Sequence, residues 1–154
     1  MTQRICHLYD APGHLPQVAA WIYEAFWFGQ EGYTPDFFAQ RLSEARDPDR
    51  IPLSLLALDG DAPVGTVNLI ENDDPERPHL SPWLAALYVE PEFRGRGHAR
   101  GLTERLLEEA ARLDCRTVYL TTHIPDFYRR FGAEVHEQVE EDFWVMRIPL
   151  SAGN

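Results

Sequence analysis

Apolar positions along this chain recur with two periods, and the switches between them mark out its elements. From Leu15 to Phe28 the residues Leu15, Val18, Ala19, Ile22, Ala25 and Phe26 fall near a helical spacing, which predicts one amphipathic helix. Thr34, Pro35 and Asp36 then supply an N-cap, a proline at the first helical position and an acid in the first turn, so a second, short helix is expected through Leu42. Beyond it the pattern changes to compact apolar runs. Leu53 to Leu58 and Val64 to Ile70 flank the turn-rich segment from Asp59 to Pro63, which reads as an antiparallel hairpin. Cys6 to Tyr9 is expected to be the first strand and Leu84 to Val89 the fourth. Between the third and fourth strands, Asn72 to Pro82 is polar, acidic and proline-rich, the mark of a surface loop.

A helical period returns at Ala99. Ala99, Leu102, Leu106, Ala110 and Leu113 share one face, with Glu104, Glu108, Glu109 and Arg112 on the other. Thr117 to Thr121 is a strand by its β-branched and aromatic content, Pro125 to Phe131 a short helix closed by Gly132, and Ala133 to Leu150 holds two final strands. The order β-α-α-β-β-β-α-β-α-β-β runs without repeat or linker. It describes one α/β (α+β) domain over residues 1–154, a length sufficient for a real core.

Composition narrows the partners. A formal net charge of -11 opposes nucleic acid or an anionic membrane and suits a cationic or amine substrate, although the same charge also serves solubility alone. Cys6 and Cys115 fit no metal-ligand spacing and read as reduced thiols. The six histidines form no H-E-x-x-H or comparable set, so no metal is implied. The opening residues lack the apolar run of a signal peptide and nothing approaches a membrane span, which leads to the expectation of a cytoplasmic protein.

The chemistry concentrates between the fourth strand and the helix at Ala99, in Arg94-Gly95-Arg96-Gly97-His98-Ala99. A strand, a glycine-rich turn and a helix start bring backbone amides together where an anion binds, and Arg94, Arg96 and Arg100 add positive charge against the acidic bulk. A P-loop is excluded because the chain contains no lysine, and the dinucleotide fingerprint because Arg100 stands where its third glycine belongs. What remains is Q/R-x-x-G-x-G/A, matched as Arg94-x-x-Gly97-x-Ala99, and with it the chain resembles the GNAT superfamily of N-acetyltransferases. Ser81 to Ala85 and the following Leu-Tyr-Val strand look like a set of small bacterial members of unassigned substrate.

The resemblance implies a mixed, mostly antiparallel sheet that splays between its fourth and fifth strands and is flanked by helices, with acetyl-CoA entering the gap. It implies that the main chain at Leu87, Tyr88 and Val89 holds the pantetheine arm of coenzyme A. Arg94, Gly95, Arg96, Gly97, His98, Ala99 and Arg100 would cradle the diphosphate. Tyr128, in Phe127-Tyr128-Arg129-Arg130-Phe131-Gly132, would be the general acid for the leaving thiolate; a phenol is still protonated at neutral pH. The glutamate that several members carry on the fifth strand is missing from Tyr119-Leu120-Thr121-Thr122-His123. His123 is the candidate base there, and equally a solvated histidine at a strand end. Trp27, Phe28, Tyr33 and Trp83 would line the acceptor pocket, where aromatic faces suit an amine, or else belong to the core. Asp73, Asp74 and Glu76, or Glu140, Glu141 and Asp142, could attract a cation or simply stay wet. The reading is acetyl transfer to the primary amine of a small molecule in a ternary complex, with a peptide N-terminus or a non-catalytic acyl-CoA sensor as alternatives. A homodimer is compatible with it.

Overall fold

A computed structural model describes residues 3–150. Strand β1 (Gln3–His7) lies at one edge of a seven-stranded sheet of order β1-β2-β3-β4-β5-β7-β6. It begins and ends earlier than the expected Cys6 to Tyr9, because its limits are set by pairing with β2 (Leu53–Asp59), from Gln3 opposite Asp59 to His7 opposite Leu55. Leu8–Asp10 already turns out of the sheet. Strands β2 and β3 (Ala62–Ile70) form the predicted hairpin, closed by Gly60 at φ +61°. β4 (Trp83–Val89) pairs antiparallel with β3.

Helix α1 (Leu15–Ile22) is shorter than its apolar pattern, for the chain widens into a π-helical turn over Tyr23–Trp27. Helix α2 (Pro35–Leu42) starts as expected: the Thr34 hydroxyl accepts a hydrogen bond from the amide of Phe37 at 3.1 Å. α3 (His98–Arg112) follows the glycine loop, and β5 (Thr117–Thr122), α4 (Pro125–Arg129), β6 (Glu134–Glu140) and β7 (Phe143–Pro149) complete the chain.

β2 is buried on both faces, and its period of two assigns its side chains to two layers. Leu53, Leu55 and Ala57 pack with Leu102, Leu106 and Ala110 of α3. Leu56 and Leu58 pack with Val18, Ala19 and Ile22 of α1 and Leu42 of α2. Helices thus cover both faces of the first half of the sheet.

The two halves meet at β4 and β5, which run parallel and share one registered pair, Trp83 opposite Tyr119. There the Tyr119 amide donates to the Pro82 carbonyl at 2.9 Å. Past this point the strands separate, leaving the gap that the sequence resemblance implied. Among the described residues no helix is long and apolar enough to cross a membrane.

Candidate functional site

Two cavities flank the middle of β4. Opposite Thr66 stands Tyr88 and opposite Asn68 stands Ala85, so Val67 alone faces the two residues Ala86 and Leu87: β4 carries a bulge. Ala86 is held at φ +54°, a conformation that costs a side chain-bearing residue roughly 1–2 kcal/mol. The bulge frees main-chain groups from the ladder and sends consecutive residues to different spaces. Ala86 lines a cavity of about 740 Å³ under α1 and α2, and Leu87 a cavity of about 500 Å³ in the gap between β4 and α4. The π turn does the same from the other side, with Phe26 in the smaller space and Trp27 in the larger. Consecutive residues of β4 and of the π turn thus serve one cavity each.

The smaller cavity gathers Leu87, Tyr88, Val89, Arg94 and Ala99 from the β4-loop-α3 segment with Ile124, Phe127 and Tyr128 from α4 and its approach. At its end the glycine loop opens α3. Gly95 (φ +78°) and Gly97 (φ +87°) are left-handed, and a Cβ on either would meet nothing within 4 Å, so it is the backbone turn that requires glycine. The first α3 amide with a helical partner is that of Gly101, bonded to the Gly97 carbonyl at 2.9 Å. The amides of His98, Ala99 and Arg100 precede it and have no main-chain partner among the described residues. No side chain caps this end, and no acid occupies its first turn.

The arginines divide. Arg94 folds back, its Nε donating to the Val89 carbonyl at 2.8 Å with its guanidinium 5.7 Å from the Tyr88 ring centre. Arg96 lies over Phe93, and Arg100 pairs with Glu104 at 3.4 Å on the helix surface. His98 is buried against Phe93, and its Nε2 has no hydrogen-bond partner among the described residues. At 4% exposed, it packs into the start of α3 as core.

Tyr128 is 7% exposed, packed edge-on against Phe127, and burial pushes its hydroxyl up to about 12. Burial and a 2.7 Å hydrogen bond to Glu90 likewise lift Tyr88 to about 12. His123 takes another direction. Its Nδ1 lies 2.7 Å from the Asp142 carbonyl and its ring stacks on Phe143, so it faces the β6-β7 hairpin and lines neither cavity.

Of the aromatic acceptor candidates, two reach the larger cavity: Trp27 and Tyr33 stack at 4.4 Å and continue into Phe37 and Phe38 as one wall. Trp83 is instead wholly buried core, its indole donating to the Leu80 carbonyl at 2.8 Å, because it seals the closed end of the β4-β5 junction. Phe28 leaves the π turn for solvent and is 74% exposed. The loop acids also separate. Asp74 is engaged by Arg77, whereas Asp73 lines the cavity together with Glu44 and Glu71. Protein atoms crowd the Asp73 carboxyl while part of the residue stays in solvent, and that desolvation, with the charge of Asp74, raises it to about 6. The pattern of the chain gave no reason to single out Ser54 and Asn68, which also line this space. The one available signal was a serine inside the otherwise apolar run Leu53 to Leu58.

A splayed sheet, a bulged central strand and an anion-receptive helix start beside a buried phenol define a protein built to hold an extended, diphosphate-bearing molecule through its gap. The acetyltransferase (GNAT) family model matches residues 16–133, and the chain belongs to that family, whose acyl donor is acetyl-CoA. Comparison with curated proteins gives no match. Solved structures share the fold at low identity. An aminoglycoside 6'-N-acetyltransferase complexed with coenzyme A is 18% identical with a TM-score of 0.75, the match covering 98% of this chain and 99% of that one. The PaiA N-acetyltransferase of Thermoplasma acidophilum in complex with coenzyme A is 17% identical (TM-score 0.71; 97% and 99% covered). An acyl-CoA N-acyltransferase from Pseudomonas aeruginosa is 24% identical (TM-score 0.64; 95% and 97% covered).

The residues present fit the donor. Free amides at His98 to Arg100, open left-handed glycines and the absence of first-turn acids suit a diphosphate, and the apolar gap along Leu87 to Val89 suits a pantetheine arm. Among the described residues no group of three or more His, Cys, Asp or Glu is arranged to hold a metal ion.

Proposed function

We propose that this protein transfers an acetyl group from acetyl-CoA to the primary amine of a small molecule, both substrates being bound at once. The observation that carries the reading is the β4 bulge, whose consecutive residues Ala86 and Leu87 line two different cavities, one for each substrate in this reading. In this reading the main chain of Leu87 to Val89 aligns the pantetheine arm, and the amides from Gly95 to Arg100 bind the diphosphate. When bound, acetyl-CoA supplies the activated acyl group. In the same reading a main-chain amide left unpaired by the bulge polarises the thioester carbonyl. Tyr128, its proton retained by burial, donates from its hydroxyl to the departing thiolate. The acceptor enters along the wall of Trp27, Tyr33, Phe37 and Phe38. His123 has no part in the transfer; Asp73, in the acceptor cavity, draws the ammonium form and is the carboxylate at hand to accept its proton.

A coupled thiol-release assay across small amines, aminoglycosides and N-terminal peptides tests this. Release that depends on a small amine is expected. Release with peptides alone would move the acceptor to protein N-termini, and tight acetyl-CoA binding without any release would make the chain a sensor. Tyr128→Phe should lower kcat about 100-fold with acetyl-CoA affinity retained. Unchanged turnover would remove Tyr128 from the mechanism.

A further inference from the structure

Ser54 is the polar exception on a buried strand. By the period of two it shares a sheet face with Leu56 and Leu58, which pack under α1 and α2, and it is 2% exposed. Its hydroxyl has no hydrogen-bond partner among the described residues, yet it lines the larger cavity. Directly across the ladder stands Asn68, 5% exposed, and across from Asn68 stands Ala85, beside the bulge. The Asn68 Nδ2 donates to the Ala85 carbonyl at 3.4 Å, which leaves Oδ1 as a free acceptor. A buried hydroxyl without a partner is a liability that alanine or valine would remove, and native proteins keep such groups sparingly. Here the residue that carries the unpartnered atom lines a cavity, and an occupant packed against it can supply the partner that solvent, excluded from the hydroxyl, does not.

We propose that Ser54 and Asn68 are acceptor-binding residues: the Ser54 hydroxyl and the Asn68 carbonyl oxygen receive the N–H groups of the incoming amine beside the bulge. The inference rests on the larger cavity being the acceptor site. The chemistry of the pair bears on the reaction. Both groups are neutral, so they favour the protonated form of the amine less than a carboxylate would, and the proton needed to free the lone pair is lost more easily. The charged groups around this space, Arg41, Glu44, Glu71 and Asp73, come from α2, the segment after it and the loop after β3. They separate the capture of an ammonium ion at the rim from the binding of a free amine at the floor. The wall of Trp27, Tyr33 and Phe38 then receives an apolar body, which makes the favoured acceptor a primary amine on an alkyl or arylalkyl chain.

Steady-state assays with 2-phenylethylamine and n-hexylamine, on the full chain and on Ser54→Ala and Ser54→Val, test the proposal. The acceptor KM should rise about tenfold, the equivalent of one lost hydrogen bond at a polar site, with the affinity for acetyl-CoA unchanged. Because the hydroxyl has no partner in the free protein, Ser54→Ala should melt no lower than the parent, so that the effect is not one of folding. An acceptor KM unchanged in both variants would overturn the assignment. Should neither amine be acetylated while acetyl-CoA binds, transfer to this class of acceptor fails, and direct binding of the same amines, followed by tryptophan fluorescence, decides the role of Ser54. Weaker binding by Ser54→Ala supports it. Equal binding, or none by the parent, overturns it.

Discussion

Loss of solvation, by burial at Tyr128 and by crowding of the carboxyl at the exposed Asp73, acts on two ionisable side chains of the site with opposite consequences. At Tyr128 it raises a phenol to about 12, so the group remains a proton donor through the range of ordinary assays, and kcat should show no loss on the alkaline side from this residue below about pH 10. At Asp73 the carboxyl is raised to about 6 by desolvation and by Asp74, so the charged form is disfavoured where it is needed. The sign for stability follows: a carboxyl raised on folding favours the native state fully only below its unfolded value, and that contribution is lost as pH rises through about 6. Asp73→Asn should therefore raise the melting temperature at pH 8 more than at pH 4, by an amount within about 1 kcal/mol for a solvent-accessible group. The parent's amine kcat/KM should fall below pH 6, and the same substitution should remove that fall. Both measurements on one variant would separate a functional charge from an idle one; a parent profile flat between pH 5 and 8 would deny Asp73 its role. The family resemblance singled out Tyr128, and the acidic run singled out Asp73 only together with Asp74 and Glu76; the structure finds Tyr128 lining one cavity and Asp73 the other. Residue identity alone did not reach Ser54, since a single hydroxyl in an apolar run carries no mark of its surroundings. It left Trp83 open between pocket and core, because an aromatic beside the fourth strand looks the same in sequence whether it faces a substrate or seals a junction.

At the scale of elements, what was legible is what local chemistry decides. Thr34-Pro35 fixes the start of α2 and the left-handed Gly97 that of α3 within their own few residues. The bulge, the π turn and the limits of β1 are set by register against distant strands and by which cavity a residue must face, and no local period encodes them. Two glycines make the contrast testable. At Gly97 a Cβ has room, and the penalty is the left-handed φ alone, so Gly97→Ala should lose about 1 kcal/mol in denaturant melts and weaken acetyl-CoA binding as the amides turn away. At Gly65 the backbone is ordinary but a Cβ would come to 2.8 Å from the Tyr88 carbonyl and 3.3 Å from the Val89 side chain. Gly65→Ala must push β4 from β3 beside the bulge, with an expected loss of about 1–3 kcal/mol. It should also reduce acetyl-CoA affinity, although Gly65 lines neither cavity. Loss of stability with unchanged affinity would show that the bulge tolerates the shift.

Across the whole molecule, the sheet is two units hinged at one end. The chain order and the splay between the fourth and fifth strands were readable from the alternation of elements and the family resemblance, but the parallel β4-β5 pairing and the closure of that end were not, because the closure is made by side chains far apart in sequence. Trp83 packs against Tyr119 at 5.9 Å, Tyr119 against His136 at 5.5 Å, and Arg77, from the loop expected only to be surface, spans the junction. Its Nη1 donates to Asp74 at 2.7 Å and its Nε and Nη2 to Glu137 of β6 at 3.0 and 2.7 Å. These bonds raise the Arg77 pKa and lower that of Glu137, the latter chiefly through the bond itself. The strap fixes the loop that carries Asp73 and Asp74 against the second half of the sheet, whereas the donor cleft is built from β4, the glycine loop, α3 and α4 without it. Arg77→Ala should then speed amide exchange over residues 71–82 and raise the amine KM several-fold, and acetyl-CoA affinity should hold. Added salt, which screens exposed ion pairs, should move the parent part of the way toward the variant. If the variant instead loses both substrates equally, the strap holds the sheet as a whole and the acceptor loop has no separate anchorage.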